Sequence, residues 1–312
     1  MTLSRKLVDI LRKSKKKIIH WMQKKKLLSR KKRCGLCGRQ MKLKRSSCTK
    51  DGYRWVCRRH RRFISKSVRD KSIFSRSHMK LSAWLTFMLR FSQGLRLRQI
   101  DLIHENVALS SRTLTRMSAK LKSVCTSSVK RLERRTGRRI GGQNSFIVID
   151  ESKFCHKRKY GRGRFGESWR RRGWVFGLLE VKGQRRRPVL KFVKQRTRNR
   201  LMPIIQRYVR PASTILSDSW PAYRRLQQEG FIHYQVNHRR FFVHPRTGAH
   251  TQHLERAWRT FKSDVYHYRA NVTVKKLKEC LTFIEWHYWL AKKHKDGALG
   301  QLMEDIRCKY RV

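Results

Sequence analysis

Acid is scarce in this chain. It carries 19 Asp and Glu against 80 Lys and Arg over 312 residues, for a net charge of +61. So one-sided a chain repels itself unless a polyanion neutralises it. Nucleic acid is the expected partner, because its phosphates supply most of the affinity of such proteins. Long apolar runs are also missing: none approaches the roughly 20 residues that a membrane span needs. The opening stretch, "MTLSRKLVDILRKSKKKIIHWMQKKK", has no uninterrupted apolar core. It reads as a basic amphipathic helix or arm rather than a secretory signal. No internal repeat is visible. Cysteine is sparse outside one segment. Four of the eight (Cys34, Cys37, Cys48, Cys57) crowd together, and Cys125, Cys155, Cys280 and Cys308 lie far apart and read as ordinary thiols. In a basic chain expected inside the cell, such clustering argues for metal rather than disulfides.

What is present is a core. Hydrophobic residues make up 39% of the chain, and they fall into patterned segments. Residues 1–32 form a lysine-rich N-terminal arm, whose runs "KSKKK" and "KKKLLSRKKR" would serve as nuclear import signals in a eukaryotic host. Residues 33–65 hold the cysteine cluster. Residues 70–140 read as helical. In "SHMKLSAWLTFMLRFS", Met79, Leu81, Trp84, Leu85, Met88 and Leu89 fit one wide buried face. "RLRQIDLIHENV" is a shorter helix candidate, and Ser110 is a plausible N-cap for the longer one that follows. Short helix, turn and longer basic helix is the pattern of a helix-turn-helix. The second helix would offer Arg112, Thr115, Arg116 and Lys120 to a major groove of double-stranded DNA. "RRTGRRIGGQN" (134–144) reads as a linker.

Beyond it the pattern changes to strands. "FIVIDESKF", "WVFGLLEVKG" and "RPVLKFVKQR" form a meander, with a strongly basic loop (155–173) after the first. "RLMPIIQRYV" is a helix candidate and "STILSDSW" a fourth strand. "PAYRRLQQEG" has Pro at a helix N1 position and Gly as a C-cap signal, and "FIHYQVNH" is a fifth strand. The remainder, to about residue 295, is helical, followed by a C-terminal tail (296–312). This order is that of a ribonuclease-H-like α/β domain, here over 144–295.

In that fold carboxylates converge at one end of the sheet, from the first strand, the fourth strand and a later helix. Asp150 closes the first strand and Asp218 the fourth, and "HTQHLERAW" supplies Glu255. Thirty-six residues, 219 to 254, lie between the last two, the separation expected of a DDE triad. Three converging carboxylates need cations to stay ionised together, and hard oxygen ligands suit Mg²⁺, with Mn²⁺ as substitute. Glu151 is the rival to Asp150, but as its strand neighbour it faces the other way. His233, His238, His244, His250 and His253 crowd near the third acid, as candidate proton carriers, core residues or phosphate contacts. Trp169 and Trp174 are candidates for stacking on a base or for packing.

The cysteine cluster reads "CGLC" (34–37) and "CRRH" (57–60). Two such knuckles pinch one Zn²⁺ tetrahedrally, through Cys34, Cys37, Cys57 and His60, with Cys48 as the competing ligand. A hairpin signal at Asp51-Gly52 completes the outline of a zinc ribbon. Four protein ligands leave no open position, so the expected role is DNA binding or folding rather than catalysis.

"VIDESKF", "WVFGLLE", "ILSDSWPAY", "HTQHLERAWRTFK" and "FIEWHYWL" together resemble the Merlin-type DNA transposases and their bacterial insertion-sequence relatives, over roughly residues 34–295. The resemblance implies Asp150, Asp218 and Glu255 as the triad, cutting at terminal inverted repeats, joining of the ends to target DNA, and action as a homo-oligomer. Relatives carry an N-terminal zinc ribbon, usually with Cys where this chain has His60. Bacterial relatives often place Asn or Thr beside the third acid, where the flank here is His250, Thr251 and His253. Two rival readings are a domesticated DNA-binding protein that no longer cuts and a basic RNA-binding structural protein.

Overall fold

The structure, a computed structural model, describes residues 2–95, 110–154, 173–235, 252–268, 270 and 272–312. The expected helix at 96–107, Trp169 with the rest of loop 155–172, His238, His244, His250 and the side chain of His253 lie outside them. The chain divides into two compact units: Met1–Ser127 with Leu290–Val312, and Ser128–Trp289.

In the first unit, residues 1–32 take the amphipathic-helix alternative rather than that of a free arm. They fold as helices α1 (Leu3–Leu11) and α2 (Lys15–Lys24), with Leu3, Leu7, Ile18, Ile19, Met22, Leu27 and Leu28 buried. Their lysines face water, and the apolar residues between them supply a core side that the charge count conceals. Helix α3 (Leu81–Ser92) is apolar almost all round, with Trp84, Leu85, Phe87 and Met88 nearly inaccessible. Such a helix belongs at a centre, and α1, α2 and α8 (Gly297–Tyr310) pack on it. The expected C-terminal tail is therefore α8, which buries Leu299, Leu302, Met303 and Ile306. Strands β1 (Lys42–Arg45), β2 (Tyr53–Cys57) and β3 (Ile64–Ser67) form an antiparallel sheet with β2 in the middle. The Asp51 carboxylate takes both arms of the buried Arg69 guanidinium, at 2.6 and 2.5 Å, which fixes the β1–β2 turn.

Helix α4 (Ser111–Thr136) begins where Ser110 Oγ accepts a hydrogen bond from the Arg112 amide at 3.2 Å, as expected of an N-cap. Leu114, Met117, Leu121 and Val124 repeat at helical spacing and are buried. The helix crosses from the first unit to the second.

The second unit is a five-stranded sheet of β4 (Phe146–Ser152), β5 (Trp174–Lys182), β6 (Arg185–Val193), β7 (Thr214–Ser217) and β8 (Ile232–Gln235). Its order is β6-β5-β4-β7-β8. The first three strands form an antiparallel meander; β4, β7 and β8 run parallel. Ile147, Val148 and Ile149 are all buried, because both faces of the central strand are covered. On one face lie α6 (Gln252–His267) and α7 (Val274–Trp289), whose Trp258, Phe261, Val265, Leu281 and Ile284 meet Val148, Leu179, Leu190 and Leu216. Helix α5 (Arg198–Tyr208) precedes β7.

Two expectations change here. Residues 134–144 are not a linker. Helix α4 runs on to Thr136, Arg138 is buried, and Ile140 pairs with Val209 in a parallel bridge. The Arg138 guanidinium donates to both Glu285 oxygens, at 2.7 and 3.0 Å, so its charge is satisfied inside the unit. "PAYRRLQQEG" does not form an α-helix. A 3-10 turn at Pro221–Tyr223 leads into further three-residue turns closed from Leu226 N to Tyr223 O and from Glu229 N to Leu226 O. A three-residue repeat eclipses i and i+3, and it aims Tyr223 and Leu226 inward, both fully buried.

Candidate carboxylate site and cysteine–histidine centre

The parallel pairing of β4 with β7 matches Phe146 with Thr214, Ile147 with Ile215 and Val148 with Leu216. Two more steps along that register bring Asp150 level with Asp218. Asp150 does not close its strand, which continues to Ser152; the parallel pairing with β7 ends two residues before it, at Val148 and Leu216. Both carboxylates are half-buried at the same edge of the sheet.

Asp150 is held from two sides. Its Oδ1 accepts from the Glu151 amide at 2.7 Å, and its Oδ2 accepts from Trp258 Nε1 at 2.8 Å. Trp258 stands three residues after Glu255 on α6, so the two share one side of the helix. The indole needs a gap in the sheet to reach Asp150, and Gly177 supplies it. Gly177 is the antiparallel partner of Asp150, and a Cβ there would run into the Trp258 ring. Asp218 Oδ1 accepts from the Trp220 amide at 3.0 Å, a local turn that holds the carboxylate.

Glu255 is exposed in the first turn of α6. The three carboxylates do not gather within 4.8 Å of one another; among the described residues only the cysteine–histidine group does. Repulsion between like charges is the physical reason that three such groups stand apart without a cation.

Glu151 does face the other way. It is buried and accepts a hydrogen bond from the Tyr223 hydroxyl. Burial lifts its carboxyl to about 7; the Tyr223 bond opposes the lift, Asp150 and Asp218 add to it, and Arg196 opposes it. His233 is a core residue on β8, with Nε2 2.8 Å from Ser217 Oγ, and burial lowers its pKa. Trp174 is half-buried and meets Lys153 and Arg196. Sequence reasoning missed Trp258, Trp220 and Arg196. The spacing of Glu255 and Trp258 by one helical turn was the signal available for the first of them.

On α4, Arg112, Thr115 and Arg116 are exposed together. Lys120 departs from that face. Its Nζ donates to the carbonyls of Ile73 and Ser75, both at 3.1 Å, and lies over Trp84. Burial, then Arg69, lowers its pKa. Lys120 therefore ties α4 to the 73–75 turn and is not offered to a groove.

In the first unit Cys34, Cys37, Cys57 and His60 bring one ligand atom each within 4.8 Å of all the others. Cys34 Sγ lies 3.5 Å from His60 Nε2, and Cys37 Sγ lies 3.7 Å from Cys57 Sγ. Tetrahedral bonds of about 2.3 Å to sulfur and 2.0–2.1 Å to nitrogen give edges of about 3.6 Å for S···N and 3.8 Å for S···S. The donor set fits zinc in type and in spacing. Cys48 is exposed and outside the group. Backbone donors at Cys37 and Leu36, with His60, bring the Cys34 thiol down to about 6. Burial and then the neighbouring Cys37 and Cys34 push Cys57 up to about 11. Four thiol and imidazole groups so close share protons unevenly without a cation between them.

Residues 134–288 match the family model described as the ISXO2-like transposase domain. The matched stretch falls within the second unit, Ser128–Trp289. The match supports a DNA transposase of the insertion-sequence DDE type, a class of DNA-cutting enzyme. A search of curated proteins found no match. No helix among the described residues is long and apolar enough to cross a membrane.

Proposed function

We propose that the second unit is the ribonuclease-H-like catalytic domain of a Merlin-type DDE transposase. It cuts double-stranded DNA at terminal inverted repeats and joins the 3′ ends to target DNA. The observation that carries this reading is the β4–β7 register, which brings Asp150 and Asp218 level at one sheet edge, with Glu255 on α6 after β8. The hard oxygens of these three side chains suit two Mg²⁺ ions, or Mn²⁺ in their place. When bound, such ions activate a water or a 3′-hydroxyl and stabilise the leaving oxygen. The chain's own residues do the rest. Asp150 is oriented by the Trp258 indole and the Glu151 amide, and Asp218 by the Trp220 amide. Helix α6 carries Glu255 and Trp258 together, so movement of that helix adjusts the third carboxylate and the grip on the first at once.

Cys34, Cys37, Cys57 and His60 hold Zn²⁺ as a ribbon for DNA binding or folding, and Arg112 and Arg116 contact DNA from α4. The enzyme acts as a homo-oligomer on paired ends, in the nucleus of a eukaryotic host or the nucleoid of a bacterium. The test is nicking of a supercoiled plasmid by the purified chain with Mg²⁺ or Mn²⁺, beside Asp218→Asn. Metal-dependent nicking that the variant loses supports the enzyme. A second reading is a DNA-binding protein that no longer cuts. Tight DNA binding with no nicking, on plasmids with and without the element's own ends, decides for it.

Two further outcomes are expected. The purified chain should contain one zinc per chain by elemental analysis. Cys37→Ser should lose that zinc and Cys48→Ser should keep it; retention in the first or loss in the second contradicts the assigned ligands. Gly177→Ala should displace the Trp258 indole from Asp150, and a misplacement of about 1 Å costs nicking up to ~10²-fold. Trp258→Phe should lose a similar amount, and the double variant no more than either alone. Additive losses would mean that the two act separately.

A further inference from the structure

Four strand ends meet at the edge of the sheet that carries Asp150 and Asp218. Ser152 pairs with Val175, and Trp174 pairs with Val193. The end of β4, the start of β5 and the end of β6 therefore coincide. The end of β7 joins them through its parallel pairing with β4. Arg196 stands three residues beyond β6, and Trp220 two residues beyond Asp218.

These residues interlock. The Arg196 guanidinium carbon lies 4.3 Å from the Trp174 ring centre and 4.0 Å from that of Trp220. Trp220 Nε1 donates to the Arg196 carbonyl at 3.0 Å, and the Trp220 amide donates to Asp218 Oδ1 at 3.0 Å. One residue thus fixes the guanidinium and the carboxylate relative to each other. Lys153 Nζ adds a second cation, 4.7 Å from the Trp174 ring centre.

The arginine's missing partner is the informative feature. Buried arginines elsewhere in the chain spend both arms on a carboxylate: Arg69 on Asp51, Arg138 on Glu285. Arg196 is half-buried between two indoles and is attracted by the Glu151 carboxyl, yet among the described residues nothing accepts a hydrogen bond from its guanidinium. Aromatic rings engage the flat faces of a guanidinium and leave its N–H edges for other partners. A planar fork with unspent donors matches the paired oxygens of a phosphate. At least one face of each indole is already taken by a cation, so the pair does not present itself as an open shelf for a base. The ligand that completes the set is an anion.

We propose that Arg196, held by Trp174 and Trp220, binds a backbone phosphate of the DNA strand next to the one that is cut. The proposal rests on the transposase reading for what sits at Asp218, but the binding site itself does not depend on cleavage. Its role is positioning: with Trp220 bridging to Asp218, a phosphate seated on Arg196 sets the distance of the strand from the carboxylates.

The test uses the full chain. Affinity for a duplex is measured by fluorescence anisotropy in buffer without added Mg²⁺ or Mn²⁺ and without chelator, which leaves the zinc in place, over a range of salt, for wild type, Arg196→Ala and Arg196→Lys. Loss of one phosphate contact should reduce the slope of log affinity against log salt by about 0.9 in Arg196→Ala. Single methylphosphonates, which remove one phosphate charge, are then walked along the duplex. At one position the neutral linkage should weaken wild type by about ten-fold, the cost of about one charge-assisted contact, and leave Arg196→Ala unchanged. Arg196→Lys keeps the charge without the fork; it should keep the salt slope and regain only part of the affinity. Equal methylphosphonate losses at every position in wild type and both variants would overturn the proposal. So would unchanged affinity with a lowered melting temperature, the sign of a purely structural arginine. If Arg196→Ala does not fold, Arg196→Lys decides alone, since an unaltered affinity there also refutes the fork. Plasmid nicking by wild type and Asp218→Asn reports separately on the transposase reading, so its failure leaves the phosphate result readable.

Discussion

Asp150→Asn and Asp218→Asn are each expected to cut metal-dependent nicking by about three powers of ten, or ~4 kcal/mol of transition-state stabilisation. The substitution is chosen to change charge and little else. An Asn at 150 keeps an oxygen for the Trp258 indole or the Glu151 amide, and an Asn at 218 keeps one for the Trp220 amide. Folding and the position of the strand ends should survive, as a melting temperature close to wild type would report. DNA affinity without added Mg²⁺ or Mn²⁺ should hold or rise, because a negative charge has left the edge proposed to face phosphates. Glu255→Gln asks a separate question. Glu255 is exposed and its helix begins just after residues 236–251. A loss equal to that of the Asp variants would mean that α6 delivers the third ligand when DNA and metal are bound. Unchanged nicking in Glu255→Gln would remove it from the site and leave the two Asp residues to be completed by another group.

The second large effect is on stability. Glu285 is 2% exposed and takes three hydrogen bonds, from both arms of Arg138 and from the Leu190 amide at 2.8 Å. Arg138 is more deeply buried still, and its guanidinium also lies over Tyr208 and Trp289. Glu285→Leu strands that cation and an amide in the interior and should cost about 3–5 kcal/mol, read as a fall in the urea midpoint. Arg138→Met alone leaves a buried carboxylate with one remaining donor and should cost a similar amount. The pair Arg138→Met with Glu285→Leu should recover most of the loss, because apolar groups of similar size can replace a buried ion pair at little net cost. A double variant as unstable as the sum of the singles would mean that the pair holds the 137–144 segment to α7 in a way that packing cannot replace.

The contrast between these two pairs explains what could be read before any coordinates. Asp150 and Asp218 were visible because each follows an apolar run in a chain with little acid, and the strand order dictates which ends meet. The cysteine–histidine group was visible because two-residue knuckles leave a short list of ligands, and geometry had only to exclude Cys48. Arg138 was hidden. In a chain where more than a quarter of the residues are Lys or Arg, one arginine inside "RRTGRRIGGQN" looks like its neighbours, and only its partner 147 positions away marks it as core. The same crowding hid the anchoring role of Lys120, whereas the amphipathic alternative for the opening stretch already implied the buried side that α1 and α2 have. Arg196 was illegible for a different reason, and Trp258 showed only its one-turn spacing from Glu255: each acts through a contact set by the meeting of elements distant in sequence. Gly177 shows this most simply, since what it contributes is the space that a side chain would fill.

The first unit contains Leu290–Val312 as well as Met1–Ser127. Helix α8 packs on α1 and α3 and donates from Lys309 to Ser123, yet it leaves the ribosome after every strand of the second unit. Translation therefore finishes the later domain first. The early helices, with the apolar girth of α3, wait through the synthesis of some 160 residues for their last wall. During that interval they are open to chaperones and to premature capture by nucleic acid, and a transcript cut short before α8 would release a protein whose five-stranded sheet is complete and whose first unit is not.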